Sequence, residues 1–150
     1  MNIRNQAAVV MGEILHARPD VYIYEDTIDY YRRESDNPLN YTVCAFSDQK
    51  KPLGIATMKI LNEFSAELVV IAVLRDFERN GIGSSLLAAV ETEARRRNKI
   101  FFTLKAFGPS DLDKQSQIAL NFFRGHEICI LGEYDFIWQG CYCALLAKRL

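Results

Sequence analysis

The spacing of apolar and polar residues along the chain predicts about four helices and at least six strands. Helices are expected where apolar residues recur every three or four positions, and strands where short runs are rich in β-branched and aromatic residues. The predicted helices span residues 7–17, 25–34, 82–97 and 115–124. The predicted strands span residues 41–46, 53–61, 67–73, 100–106, 127–131 and 141–147.

The order of these elements predicts how the sheet is connected. Two helices lead into a pair of strands joined by the polar turn at residues 47–52, which is typical of a hairpin. Further along, a strand, a helix and a strand follow one another, and such a crossover unit joins parallel neighbours. We therefore predict an α+β fold, with a mixed and mostly antiparallel sheet of six to seven strands flanked by about four helices.

Composition narrows the class of protein. The chain has 150 residues, of which 49% are hydrophobic and 25% charged, and this predicts a single globular domain over residues 1–150. A formal net charge of -1 argues against a nucleic-acid-binding protein, because neutralising phosphates needs an excess of basic residues. No apolar stretch approaches the roughly 20 residues that cross a bilayer, so no membrane role is expected.

The expected compartment is the cytoplasm. The first six residues are mostly polar, and the apolar run after them is broken by Gly12 and Glu13, so no secretory leader is expected. The four cysteines should then be reduced. Only Cys141 and Cys143 are closely spaced, whereas a structural zinc site needs ligand pairs on two elements. We therefore expect no metal, and interpret the cysteines as small buried hydrophobic residues.

One loop carries a chemical signature. The apolar strand at residues 67–73 is followed by a loop that opens directly onto a helix at Ile82. Gly81 and Gly83 allow a tight turn and a close approach of the backbone to a ligand. A helix start offers unpaired N–H groups and partial positive charge, which suit an anion such as a pyrophosphate. The glycines are also compatible with an ordinary helix entry, or with a dinucleotide-binding loop that has two of its three glycines.

Residues 66–87 resemble the central acyl-CoA motif of the GNAT superfamily of N-acetyltransferases. The family loop is commonly written Gln/Arg-x-x-Gly-x-Gly/Ala, and residues 78–83 are Glu-Arg-Asn-Gly-Ile-Gly. Residues 116–124 resemble the family's later helix, and residues 132–135 with Tyr142 resemble its last hairpin. The resemblance implies the GNAT fold and acetyl-CoA as cosubstrate. The cofactor-binding residues that it implies are Ile71, Ala72, Val73, Glu78, Arg79, Asn80, Gly81, Ile82, Gly83, Ser84, Ser116 and Phe123.

The chain departs from the family pattern at several positions. Glu78 stands where glutamine or arginine is usual, and we expect Arg75 and Arg79 to offset its charge. Phe123 stands where many members have a tyrosine proposed to protonate the leaving thiolate, and phenylalanine cannot donate a proton. Ser116 replaces an asparagine that some members use against coenzyme A, and it could equally cap the helix that follows.

Acylation of an amine needs a group that accepts the amine's proton. The resemblance assigns this role to Glu67, because residues 66–73 resemble the strand that carries the catalytic glutamate in histone-acetylating members. The alternative is that Glu67 is a glutamate at a strand end that faces water or forms an ion pair with a lysine such as Lys59. Tyr134 and Tyr142, on or beside the last hairpin, are alternative proton donors or simply packed tyrosines.

The preferred function is an N-acetyltransferase that moves an acetyl group from acetyl-CoA to a primary amine by direct attack in a ternary complex. The alternative is a GNAT-fold domain that binds acyl-CoA or a partner without turnover. The acceptor is expected to be a small-molecule or peptide amine, and a homodimer is a further expectation. A cationic acceptor is predicted because five carboxylates should flank one side of the cleft. They are Glu25, Asp26, Asp29, Glu133 and Asp135.

Overall fold

The computed structural model describes residues 6–110 and 113–150, so the first five residues, which enter the argument against a secretory leader, lie outside it. The helices are α1 (Ala7–His16), α2 (Glu25–Asp36), α3 (Ile82–Arg96) and α4 (Lys114–Gly125), with a 3-10 turn at Arg75–Phe77. The strands are β1 (Tyr41–Phe46), β2 (Pro52–Ile60), β3 (Ser65–Val73), β4 (Phe101–Phe107), β5 (Cys129–Tyr134) and β6 (Cys143–Arg149).

These strands form one mixed sheet in the order β1-β2-β3-β4-β6-β5. The pair β3 and β4 is parallel and is joined through α3, whereas the other neighbouring pairs are antiparallel. A crossover helix between parallel strands and hairpin-type pairing elsewhere confirm the predicted α+β architecture.

The helices cover both faces of the sheet. Buried side chains of α1 and α2 pack against one face, and those of α3 and α4 pack against the other. Burying one large apolar side chain stabilises the fold by about 1.5–3 kcal/mol, so both layers contribute substantially. The largest buried side chains include Met11, Ile14, Leu15, Ile55, Leu87, Val90, Phe102 and Leu120.

The start of α3 lies directly over β2 because residue 54 has no side chain. A Cβ at Gly54 would lie 3.0 Å from both the carbonyl oxygen of Ala72 and Cδ1 of Leu86. No ordinary Cβ contact is so short, so this position needs glycine to bring helix and sheet together. The close approach fixes the loop before α3 at the carboxyl end of β3.

The last two strands begin two residues later than the sequence predicts. Glu127, predicted to start a strand, has a φ of 63° and belongs to the end of α4. Its N–H donates to the carbonyl of Arg124, and the N–H of Ile128 donates to that of Phe123, both at 3.0 Å. This is a Schellman-type helix end, in which glycine is the usual left-handed residue. The absence of glycine at this position explains why the sequence pattern did not reveal the helix end.

Strands β3 and β4 pair only along their first halves. The register joins residues 65–68 to residues 101–104, whereas β3 continues to Val73 and β4 to Phe107. An irregularity in the pairing of β2 with β3 also falls where β3 leaves β4. The second halves therefore diverge, and we call the opening between residues 69–73 and 105–107 the wedge.

Candidate active site

The loop between β3 and α3 presents backbone N–H groups at a helix start. Gly81 is the N-cap of α3, with a φ of 79° in the left-handed region, and no side chain caps this helix. Arg79 also has a positive φ of 64°, so left-handed residues alternate along the loop. Such alternation turns successive N–H groups to one side and creates an anion-binding concavity with the helix start. This geometry fits the predicted pyrophosphate site.

Helix α4 packs against the first turn of α3. A Cβ at Gly83 would lie 3.4 Å from the ring of Phe122, which leaves room for little beyond a methyl group. Ser84 Oγ and His126 Nε2 are 3.0 Å apart, and the His126 ring lies 4.8 Å from that of Phe122. His126 is therefore half-buried beside the anion-binding loop.

Ser116 does not cap α4. The N-cap is Asp113, whose carboxylate accepts the N–H of Ser116 at 2.7 Å. Ser116 is only 5% exposed, and its Oγ is buried without a hydrogen-bond partner in the described chain. Burying an unpaired hydroxyl costs free energy unless a ligand completes the hydrogen bond. Because this hydroxyl is closed off from solvent, the predicted contact of Ser116 with a cofactor stays a prediction.

Phe123 lies in the apolar core. It is 7% exposed and belongs to the cluster of buried side chains between the sheet and helices α3 and α4. Its neighbour Phe122 faces Gly83 instead. The predicted cofactor contact of Phe123 stays a prediction, and no proton donor exists at this position.

Glu67 is a buried carboxylate with two lysine partners. It lies on β3 and is 7% exposed. Its oxygens are 3.4 Å from Nζ of Lys59 on β2 and 3.3 Å from Nζ of Lys105 on β4. The ion pair with Lys59 was the predicted alternative, whereas the pairing with Lys105 was not foreseen. Burial raises the pKa of nearby Tyr31, with further contributions from the charges of Tyr30 and Glu67.

Two side chains from the connection between α1 and α2 reach the edge of β3 that lines the wedge. The guanidinium of Arg18 donates to the carbonyl of Val73 at 2.6 Å, and the hydroxyl of Tyr22 donates to that of Ile71 at 3.4 Å. Burial raises the pKa of Tyr22 above its ordinary value, so this hydroxyl stays protonated. Neither contact was predicted from the sequence.

The predicted proton donors lie on the opposite side of the wedge. Tyr134 ends β5 with its ring 5.3 Å from that of Phe136, and the Tyr142 carbonyl accepts the N–H of Gly108 at 2.9 Å. They flank the end of β4, four residues beyond the register partner of Glu67, which is roughly 13 Å along a strand. Glu67 therefore lies before the wedge opens, whereas these tyrosines lie beside its far end.

Three of the five predicted cleft carboxylates have partners within the protein. Glu133 accepts the N–H and the hydroxyl of Ser110 at 2.7 and 2.9 Å. Glu25 lies 2.9 Å from His16, and Asp29 lies 3.5 Å from Arg32. In the described part of the chain, only two of the five have no ion-pair or hydrogen-bond partner. These are Asp26 and Asp135.

The structure also bears on metals, membranes and cysteines. Within residues 6–110 and 113–150, no group of three or more His, Cys, Asp or Glu side chains could hold a metal ion. No helix in these two ranges is long and apolar enough to cross a membrane. Cys44 and Cys143 are buried as predicted, whereas Cys129 is exposed and Cys141 is partly exposed.

Comparison with known proteins identifies the family of this chain. The sequence profile of the acetyltransferase (GNAT) family matches residues 11–126, so the chain belongs to this family and is an acetyltransferase domain. No curated protein is similar enough in sequence to count as a match.

Solved structures share the fold. A protein assigned to the GNAT family from Desulfovibrio desulfuricans matches with a TM-score of 0.82 at 17% identity, over 97% of this chain and 93% of that one. An aminoglycoside 6'-N-acetyltransferase complexed with coenzyme A matches with a TM-score of 0.77 at 18% identity, over 99% and 95%. A GNAT acetyltransferase from Elizabethkingia anophelis with acetyl-CoA bound matches with a TM-score of 0.67 at 19% identity, over 91% and 88%.

Proposed function

We propose that the domain transfers an acetyl group from acetyl-CoA to a primary amine by direct attack in a ternary complex. The observation that carries the proposal is the juxtaposition of an anion-binding helix start with a wedge in the sheet. A buried carboxylate, Glu67, lies on β3 just before the wedge opens. An anionic cofactor, an extended arm and a proton acceptor could thus follow one another along one strand.

Backbone groups would hold most of the cofactor. The N–H groups of Ile82, Gly83 and Ser84 would bind the pyrophosphate, assisted by the loop residues 78–81. The β3 edge at residues 71–73 would align the pantetheine arm, and Ser116 in the first turn of α4 would lie beside the cofactor. Acetyl-CoA supplies the acetyl group as a thioester, whose bond to sulfur breaks as the acetyl carbon bonds to the acceptor nitrogen.

Glu67 would accept the proton that the acceptor amine loses, directly or through a water. Lys59 and Lys105 hold the carboxylate from two sides, and little of it is exposed to solvent. A positioned carboxylate of this kind typically contributes about 10²–10⁴-fold to the rate. Tyr134 and Tyr142 remain the proposed proton donors, because Phe123 cannot fill that role.

We propose that the acceptor is a cation. The support is the charge of two carboxylates that have no partner in the described part of the chain, Asp26 and Asp135, which the proposal places beside the acceptor. One structural neighbour is an aminoglycoside 6'-N-acetyltransferase, and the amino groups of aminoglycosides are cationic at neutral pH, which agrees with this proposal. The positive charges of Lys59 and Lys105 beside Glu67 would repel a cation. The cationic groups of the acceptor should therefore contact Asp26 and Asp135 rather than Glu67.

Three further expectations belong to the same proposal. They are a cytoplasmic location, a single domain over residues 1–150 and a homodimer. Sedimentation of the purified protein tests the last of these.

The function is tested by measuring the melting temperature with coenzyme A, and then acetyl transfer to a panel of cationic, neutral and carboxylate-bearing amines. A ligand that binds only the native state raises its melting temperature, so coenzyme A should do so. Transfer to at least one cationic amine is expected. Stabilisation without transfer to any amine, and without hydrolysis of acetyl-CoA, would identify a binding domain that lacks turnover. No stabilisation would overturn the cofactor site itself.

A further inference from the structure

The connection between α1 and α2 carries a buried arginine that contacts three parts of the molecule. Arg18 is 6% exposed. It donates two hydrogen bonds, each 3.0 Å long, to the carboxylate of Asp20. Its Nη1 donates to the Val73 carbonyl and to Oε1 of Glu78, both at 2.6 Å. The guanidinium thus joins the α1–α2 connection to the end of β3 and to the first residue of the cofactor loop.

This contact explains the acidic residue in the loop. Glu78 stands where the family usually has glutamine or arginine, and its partner is neither Arg75 nor Arg79, as the sequence had suggested, but Arg18 from 60 residues away. We propose that Arg18 is a positioning residue of the cofactor loop, which neutralises Glu78 and holds its carboxylate away from the phosphates. The inference rests on the proposed acetyl-CoA site and adds a residue to it.

The chemistry of the contacts requires arginine. A guanidinium offers donors in a rigid planar fork, so it can bind the Asp20 carboxylate with two donors and still serve Val73 and Glu78 with a third nitrogen. The guanidinium also keeps the pKa of Asp20 below its ordinary value, chiefly by hydrogen bonding. Loss of Arg18 would leave Glu78 as an unpaired negative charge beside a pyrophosphate. The carboxylate and the pyrophosphate would then repel each other at short range.

The repulsion can be tested separately from any loss of structure. Arg18→Gln should weaken the binding of coenzyme A, measured by isothermal titration calorimetry, by about tenfold or more. Glu78→Gln in the same chain should restore the dissociation constant to within about threefold of the parent, because it removes the charge that Arg18 neutralised. The matched control is Arg18→Gln with Asp20→Asn, which relieves the other carboxylate partner and should restore nothing.

Each outcome decides the inference. Unchanged binding by Arg18→Gln, no recovery with Glu78→Gln in a folded protein, or equal recovery with Asp20→Asn would each overturn it. If Arg18→Gln does not fold, Arg18→Lys carries the test, since it keeps a charge without the fork. We expect a loss of several-fold that Glu78→Gln again removes, and its absence would contradict the inference. Failure of the parent protein to bind coenzyme A would instead overturn the proposed function.

Discussion

The proposed site has a cofactor side, at the loop before α3, and an acceptor side, around Glu67. The first is formed by the backbone, and the second by side chains. On the cofactor side, the N–H groups of residues 82–84 and the left-handed turn at Gly81 are backbone features. On the acceptor side, the Glu67 carboxylate is held by Lys105, a side chain that lies far from it in sequence. Backbone geometry depends on a few local residues and is visible as a motif, whereas long-range side-chain contacts leave no local pattern.

The largest expected effect is on the acceptor side. Glu67→Gln should lower kcat by about 10²-fold or more, because an amide cannot accept the proton of the amine. The affinity for coenzyme A should barely change. Steady-state kinetics and calorimetric titration measure the two quantities.

A matched control for this variant is Glu91→Gln. Glu91 on α3 is also buried, at 6% exposed, and pairs with Lys148 at 3.1 Å, but it belongs to neither the loop nor the wedge. It should keep its turnover. Equal turnover of Glu67→Gln and the parent across the pH range would assign Glu67 to a purely structural ion pair.

A second, smaller effect tests the cofactor side. Gly83→Val should weaken coenzyme A binding by about tenfold or more and remove most of the ligand-induced rise in melting temperature, because its branches would crowd the helix-start N–H groups. Gly83→Ala should keep most of that rise, since a methyl group lies at ordinary contact distance from Phe122. An unchanged shift in a folded valine variant would exclude this loop as the phosphate site.

The sequence predicted the features that depend on local residues better than those that depend on contacts between distant residues. The fold and the loop were predicted because periodicity and two glycines are local signals. The helix end at Glu127 was missed because a non-glycine residue adopts the left-handed conformation there. The partner of Glu78 was assigned to adjacent arginines because only the tertiary fold brings Arg18 to it. The hydrogen bonds of Glu133 to Ser110 were likewise not foreseen, because only the tertiary fold brings these two residues together.

An effect of several-fold is expected from salt. If Asp26 and Asp135 attract a cationic acceptor, kcat/KM should fall as ionic strength rises, because charges are screened beyond roughly 8–10 Å at physiological salt. The double variant Asp26→Asn/Asp135→Asn should lose most of this dependence. A carboxylate-bearing amine as the best acceptor, or rates independent of salt, would show that the cleft is not an acidic one.

The smallest expected effect is on the stability of the fold, at an ion pair of α3 that belongs to neither side of the site. Hydrogen bonds from Arg96, together with Arg97, lower the pKa of Glu93 from 4.5 to about 2. A carboxylate whose pKa is lowered by folding stabilises the fold at any pH above its pKa in the unfolded chain. This contribution should therefore be lost as the pH falls from about 4.5 towards 2. Glu93→Gln should cost about 0.5–1 kcal/mol at pH 7, the range for two helical ion pairs, and nothing at the lowest pH. Urea unfolding of the parent and the variant at several pH values measures this loss of stability. An equal loss at every pH would show that the ion pairs of Glu93 do not stabilise the fold.

The cofactor site at the start of α3 is tested most directly by amide NMR during a titration with coenzyme A. The N–H signals of Ile82, Gly83 and Ser84 should shift most, because their hydrogen bonds would pass to the pyrophosphate. Signals from residues 69–73 along the wedge should shift with the same concentration dependence. Coenzyme A binding that leaves residues 82–84 unshifted, or shifts confined to other parts of the chain, would contradict the proposed site.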